Sequence, residues 1–388
     1  MKAVTLQATW DPRPEVALKP DERTARLPPM ACQTWRNPRL VAEDIADPAP
    51  RAEDVVIDVK ACGICGSDTH CIETDDDGYV IFSGPASFPC ALGHEFAGTV
   101  VEVGPLVDKV VVGDLVTSEG MLYCGHCMAC KRGHVNQCFN LKMFGFSHPG
   151  AFAEYAMVHQ KHCWDVSAIA EHTGDAKRAM RLASLVEPLG CAHNGMFIVG
   201  PGVDPGSHVV VFGCGPIGLG AIALAGASGA ASITAFDLTE GRVKLARDMG
   251  ATSAINLTDM DRNEVAESVR VATGGWGADM VVEAAGAALH TMPIIESVLA
   301  PGATVVYLGR TGERAPVMLD VLVSKAARIV GARGHAGYGI YPHIIDLLAN
   351  GRIVLDSMIT HTAPLSDFEA AFDRSRSRED GKILLLQD

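Results

Sequence analysis

The sequence predicts an α/β protein in which a small β-rich domain adjoins a doubly wound parallel sheet, and three observations carry that expectation. From His208 onward, short apolar runs (209–212, 232–236, 278–282, 304–308 and 328–330) alternate with helical stretches (217–228, 240–249, 261–273 and 289–299). That rhythm is the one right-handed βαβ crossovers produce. A glycine turn, Gly213-Cys214-Gly215-Pro216-Ile217-Gly218, follows the first of these strands and opens its helix. Upstream, Val55, Ile57 and Val59 alternate like a half-buried strand, and 99–103 and 110–117 add short β runs broken by Gly104 and Gly113-Asp114.

The remaining stretches fit around this frame. The first 50 residues hold 8 of the 21 prolines, clustered among charged residues, which predicts an irregular surface extension. Residues 209–236 carry no charge over 28 positions, but Pro216 and six glycines divide them into strand, turn and helix, so no membrane span is expected. After Gly337 come a helix-like stretch (342–349), Met358-Ile359-Thr360 and a terminal apolar run (383–386) expected to return to the β-rich domain.

With 388 residues the chain has room for two to three domains. Hydrophobic residues at 48% exclude disorder for most of it, and 32 basic against 46 acidic residues leave −14, which disfavours nucleic acid as a partner. The amino terminus carries no apolar run of signal-peptide length, so a cytoplasmic protein is expected.

Twelve cysteines in such a chain point to metal ligands or reduced thiols. Cys124, Cys127, Cys130 and Cys138 form C-x2-C-x2-C-x7-C within a lobe (121–140) bent by Gly125 and Gly133. Four thiolates so spaced can enclose one Zn²⁺ in a closed, structural site, with His126 and His134 as bystanders.

The glycine turn carries a second function. Gly213 allows a tight turn, Gly215 lets a pyrophosphate approach the main chain, and Gly218 lets helix and strand close, while Pro216 and Ile217 start the helix facing the phosphates. Asp237 ends the next strand 19 residues beyond Gly218, where a carboxylate accepts ribose hydroxyls and repels a 2′-phosphate, predicting NAD over NADP. Arg242, five residues on, is a further candidate for cofactor contact.

Metal-type ligands also occur in Cys62-Gly63-Ile64-Cys65-Gly66-Ser67-Asp68-Thr69-His70, in Gly93-His94-Glu95 and in Glu187-Pro188-Leu189, each weak alone. Taken with the cysteine lobe and glycine turn in this order, they resemble the zinc-dependent medium-chain alcohol dehydrogenases, especially the sorbitol, threonine and inositol dehydrogenase branch. The resemblance runs from about Val55 to the carboxy terminus. It implies a GroES-like catalytic domain (1–195 and 337–388), a Rossmann NAD-binding domain (196–336), and two zinc ions per chain. By it, Cys65 and His94 are catalytic zinc ligands and Glu95 and Glu187 the carboxylates near the metal, with the choice between them left open. Ser67 and His70 take the places of the proton relay, and Asp68 that of the acid orienting His94. A dimer or tetramer is also implied.

A zinc ion with one open position acts as a Lewis acid on an alcohol oxygen, which suits this donor set. Two stretches, about 11–35 and 71–88, exceed the common family core. The second carries Glu73, Asp75, Asp76, Asp77 and Tyr79, which suit either a polyhydroxylated substrate at the entrance or a solvated acidic loop. Arg333 and His335 are candidates by position alone. The leading expectation is NAD-linked oxidation of a secondary alcohol in a polyol or cyclitol. The alternatives are a threonine-type or simple alcohol dehydrogenase, a zinc-free quinone reductase, and a non-catalytic NAD and zinc redox sensor.

Overall fold

The computed structural model describes residues 1–310, 312 and 314–387. Six parallel strands form the nucleotide-domain sheet in the spatial order Ser253–Asn256, Ser232–Asp237, His208–Phe212, Ala278–Glu283, Leu299–Tyr307, Arg328–Gly331. Its central strands are buried on both faces, which is why they read as continuous apolar runs. Strand order reverses direction beside His208–Phe212, so the crevice at its carboxyl end, where the glycine turn sits, is the topological switch point. Helices Pro216–Ala227, Glu240–Asp248, Arg262–Ala272 and Ala288–Val298 connect the strands, each within a residue of its expected start. Strand Ser253–Asn256 and helix Leu319–Lys325 were not anticipated. The first is a four-residue edge strand and the second buries no residue, so neither leaves a strong apolar period.

The uncharged run 209–236 resolves into strand, helix and strand, almost entirely buried. Among the described residues one helical run, Ala176–Val199, is long and apolar enough to cross a membrane, yet 78% of its apolar window is buried against the rest of the protein, as a core helix is.

The amino-terminal expectation needs correction. Residues 1–50 are not an irregular extension: Lys2–Trp10 and Trp35–Asp44 pair antiparallel, with Val4 and Leu6 in the core. Pro38 is tolerated because Trp35–Asp44 is the edge strand and its register shifts there, between the pairs Gln7↔Arg39 and Thr9↔Arg36. The excursion between these strands is irregular apart from a short α-helix, Pro20–Ala25, and a 3-10 turn, Ala31–Gln33.

A seven-stranded sheet forms the rest of the β-rich domain, with Asp54–Gly63 at its centre between Glu95–Val103 and Lys382–Leu386. The terminal apolar run therefore returns as expected: Leu384, Leu385 and Leu386 pair with Gly63, Cys62 and Ala61. That pairing brings the last strand alongside the segment leading into Cys65.

Candidate active site and metal centres

The cysteine lobe forms a cage. Cys127 Sγ lies 3.5 Å from Cys130 Sγ and 3.9 Å from Cys138 Sγ, and Cys138 Sγ lies 3.5 Å from Cys124 Sγ. Four sulfurs this close, with the Cys124 thiol lowered to about 5 chiefly by the backbone N–H of His126, could hold a Zn²⁺ ion in tetrahedral coordination. His126 turns its Nδ1 to the Cys124 carbonyl and His134 faces the Tyr338 hydroxyl, so neither enters the cage.

Cys65, His94 and Glu95 offer donor atoms within 4.8 Å of one another. Cys65 caps the helix Gly66–Ile72, and Asp68, three residues on, accepts the Cys65 backbone N–H at 2.9 Å. The other Asp68 oxygen stands 3.5 Å from His94 Nδ1 and accepts the Gly93 N–H. One buried carboxylate thus fixes the cysteine turn and stands beside the imidazole, whose Nδ1 makes no hydrogen bond among the described residues. Ser67 Oγ lies 3.4 Å from His94 Nε2, beside the donors. His70, in the same helix, is partly buried, and burial holds its imidazole below the usual range.

Glu95 is fully buried. Its Oε1 has no hydrogen-bond partner, while Oε2 is paired with the ammonium of Lys382, also fully buried, which donates to the Ile64 carbonyl at 3.1 Å. Burial raises the Glu95 carboxyl and Lys382 opposes that. A side chain at Gly63 would collide with Glu95 Oε2 and stand 3.1 Å from Lys382 Cδ, so glycine there makes room for the pair. Asp68, Glu95 and Glu187 are three buried carboxylates around one buried ammonium, Lys382, an excess of acid groups that a bound divalent cation would offset. A bare buried carboxylate oxygen beside a thiol and an imidazole fits zinc.

Glu187, on the helix Val186–His193, does not join the first three donors. It groups with Cys191 and His335, its Oε1 3.0 Å from His335 Nδ1. Sequence reasoning placed His335 by position only and missed Lys382 and Cys191. Lys382 had one visible signal, a lone charge opening a wholly apolar terminal run.

At the glycine turn each position has the geometry its role needs. Gly213 has φ +88°, a Cβ on Gly218 would collide with the Gly213 carbonyl, and a Cβ on Gly215 would meet nothing nearer than Arg242 Nη1 at 3.8 Å. The space above Gly215 is open to a pyrophosphate at the amino end of Pro216–Ala227, with Ile217 in its first turn. Asp237 is buried and accepts the Cys214 N–H at 2.7 Å and the Thr239 N–H at 3.0 Å. Arg242 donates to the Asp380 carbonyl, tying this site to the carboxy-terminal segment.

The two longer stretches lock together. Arg13 pairs with Asp75 and Asp77, and its guanidinium lies 4.0 Å above the Tyr79 ring. Asp75 also accepts the Asp77 and Tyr79 N–H groups, so these two acids are spent on building the loop rather than offered to a substrate. Ala31 and Cys32 N–H bond the Gly84 and Phe82 carbonyls. Phe82 stacks on Phe146, which packs 5.0 Å from the His94 ring, and Ser83 accepts a bond from Arg310 of the nucleotide domain. The pair of stretches is a cap beside the metal donors.

Residues 51–168 match the alcohol dehydrogenase GroES-like domain and residues 216–350 the zinc-binding dehydrogenase domain. The chain is similar to scyllo-inosose 3-dehydrogenase of Thermotoga maritima, 40% identical over 364 residues that cover 90% of this chain and 91% of that one. It is 34% identical to L-threonine 3-dehydrogenase of Bacillus licheniformis over 345 residues, covering 87% and 93%. A solved Thermotoga maritima structure described as an alcohol dehydrogenase aligns with a TM-score of 0.95 at 36% identity, covering 100% of both chains.

Proposed function

This chain belongs to the zinc-dependent medium-chain alcohol dehydrogenases, and from that premise we propose that it oxidises a secondary hydroxyl of a cyclitol or related polyol to a ketone with NAD as hydride acceptor. The observation that carries the reading is the donor set Cys65, His94 and Glu95, with a bare Glu95 oxygen and the Ser67 hydroxyl at the His94 ring. Bound there, zinc supplies Lewis acidity toward the alcohol oxygen, and the dinucleotide at the glycine turn supplies the hydride acceptor. Ser67 takes the substrate hydroxyl proton. His70, whose imidazole burial holds below the usual range, accepts it in turn and delivers it toward solvent. Asp68 holds His94 in place through this exchange. Phe82 and Phe146 keep water from that side.

Asp237 favours NAD, because its buried carboxylate ends the strand Ser232–Asp237 beside the glycine turn, where it would repel a 2′-phosphate. The cyclitol assignment rests on the Thermotoga relative named for scyllo-inosose. All twelve cysteines are free, which suits a reducing compartment such as the cytoplasm. Strand Arg328–Gly331 ends the nucleotide sheet, and Met318, Leu319 and Val323 beside it are 60%, 69% and 77% exposed, which suits pairing with a second copy of the chain.

The test is an NADH-formation screen against inositols, inososes, alditols, threonine and primary alcohols, with zinc counted per chain. Turnover of cyclitols with two zinc ions per chain is expected. Turnover of threonine or primary alcohols alone would refute the cyclitol assignment, and a chain with one zinc ion or none would refute the catalytic reading.

A further inference from the structure

His335 lies in the segment that leaves the nucleotide sheet, yet its ring is wholly buried beside Glu187. Its neighbours fix the ring's proton. The Gly120 backbone N–H donates to Nε2 at 3.1 Å, so that nitrogen presents a lone pair. Tyr341 Oη, 3.2 Å from the same nitrogen, gives its own proton to the Ser118 carbonyl at 3.0 Å. The ring proton therefore sits on Nδ1, which stands 3.0 Å from Glu187 Oε1 and 3.9 Å from Cys191 Sγ. The same assignment argues against Glu187, Cys191 and His335 holding an ion of their own. A metal on Nδ1 would move the proton to Nε2, straight against the Gly120 N–H.

The backbone carrying His335 is anchored from two sides. Asn194, on the run that continues from the Glu187 helix, donates to the Arg333 and Gly334 carbonyls at 3.3 and 2.8 Å. Asn136, inside the cysteine lobe, donates to the Arg333 carbonyl at 3.1 Å. Gly190, one turn along from Glu187, leaves space for the ring, since a Cβ there would stand 3.0 Å from His335 Cβ.

We propose that His335 is a positioning residue for Glu187: its Nδ1–H, fixed in one tautomer by Gly120 and Tyr341, occupies Oε1 and holds the carboxylate so that its other oxygen serves the zinc site. This rests on the functional reading above and adds Glu187 to it as a carboxylate close enough to act electrostatically on Glu95 and His94. Outer partners of this kind change metal affinity by about 10–100-fold when lost.

The experiment measures zinc retained by the full chain against a graded chelator, with thermal unfolding recorded in parallel. An asparagine amide reaches the Nδ1 position and a glutamine amide the Nε2 position. His335→Asn is therefore expected to keep the second zinc within about threefold of the parent, and His335→Gln to lose it at roughly tenfold less chelator. In a Glu187→Gln background the His335→Gln effect should vanish. Equal retention in the Asn and Gln variants, or a Gln effect that persists without the Glu187 carboxylate, overturns the proposal. Should either variant fail to fold, Gly190→Ala displaces the ring while keeping every polar group, and unchanged retention there overturns it equally. A parent chain that holds only the lobe zinc overturns both this inference and the functional reading. Two zinc ions with indifferent His335 variants overturn this inference alone.

Discussion

Lys382→Met isolates the buried charge on which the site is balanced. Methionine keeps most of the aliphatic stem and removes the ammonium, stranding Glu95 in a position where both side chains are 0% exposed. It also leaves the Ile64 carbonyl without the Lys382 donor. Removing one partner of a buried pair costs about 3–5 kcal/mol, because the remaining charge is neither solvated nor compensated. At about 2 °C per kcal/mol for a large domain, that is a fall of roughly 6–10 °C in Tm. Calorimetry on the parent, Lys382→Met, Glu95→Gln and the double variant separates charge from packing. The double variant should unfold above the temperature that adding the two single losses gives, since no uncompensated charge remains. A Lys382→Met Tm within about 1 °C of the parent, or strict additivity in the cycle, would refute the claim that this pair sets the local charge balance.

Other consequences are measurable in the same protein. Asp237→Asn keeps the shape and removes the charge, so the kcat/KM preference for NAD over NADP should fall at least about tenfold; an unchanged ratio would show that the carboxylate does not read the ribose. At Asp380, burial works to raise the carboxyl, but Arg374 and the Thr360 hydroxyl outweigh it and hold it below the ordinary aspartate range. A depressed folded value contributes stability above the unfolded pKa of about 3.9 and loses it as pH falls through the folded value. Asp380→Asn should therefore destabilise at pH 7, begin to approach the parent only as pH falls below the unfolded value, and converge with it below the depressed folded value, read from Tm against pH. Arg13→Ala removes two partly exposed ion pairs and a cation–π contact, so global stability should change by under about 1 kcal/mol while limited proteolysis within 71–88 accelerates. Equal cleavage rates would show that the amino-terminal stretch does not hold the loop.

What could be read from the sequence divides along a physical line. Short-range features were legible: the glycine turn, the cysteine cage and the strand and helix rhythm after His208 each arise within a few tens of residues, where spacing and geometry are nearly the same thing. The amino-terminal strands were not, because the cluster of prolines between 12 and 29 dominates the composition while the alternation that makes Lys2–Trp10 a strand is short. Pro38 in particular reads as a breaker, and only the sheet shows that it sits on an edge at a register shift. The acidic loop illustrates a second limit. Composition showed the charges at Asp75 and Asp77, but their partner Arg13 lies in a separate stretch, and the pairing turns apparent substrate contacts into scaffold.

The metal donors were legible only as a resemblance, and the structure explains why local reading could go no further. Cys65, His94 and Glu95 come from two separate stretches and meet because Asp54–Gly63 and Glu95–Val103 are neighbours in one sheet. The groups that tune them come from farther still: Lys382 reaches Glu95 from the last strand, and His335 reaches Glu187 from the far edge of the nucleotide sheet. A carboxylate in water needs neither partner, whereas a buried one needs both a compensating charge and a fixed orientation. The chemistry of the site therefore depends on the strand Lys382–Leu386 and on the segment that leaves the nucleotide domain after Arg328–Gly331. Substitution at His335 should act on metal retention, whereas substitution at Lys382 should act on retention and stability together.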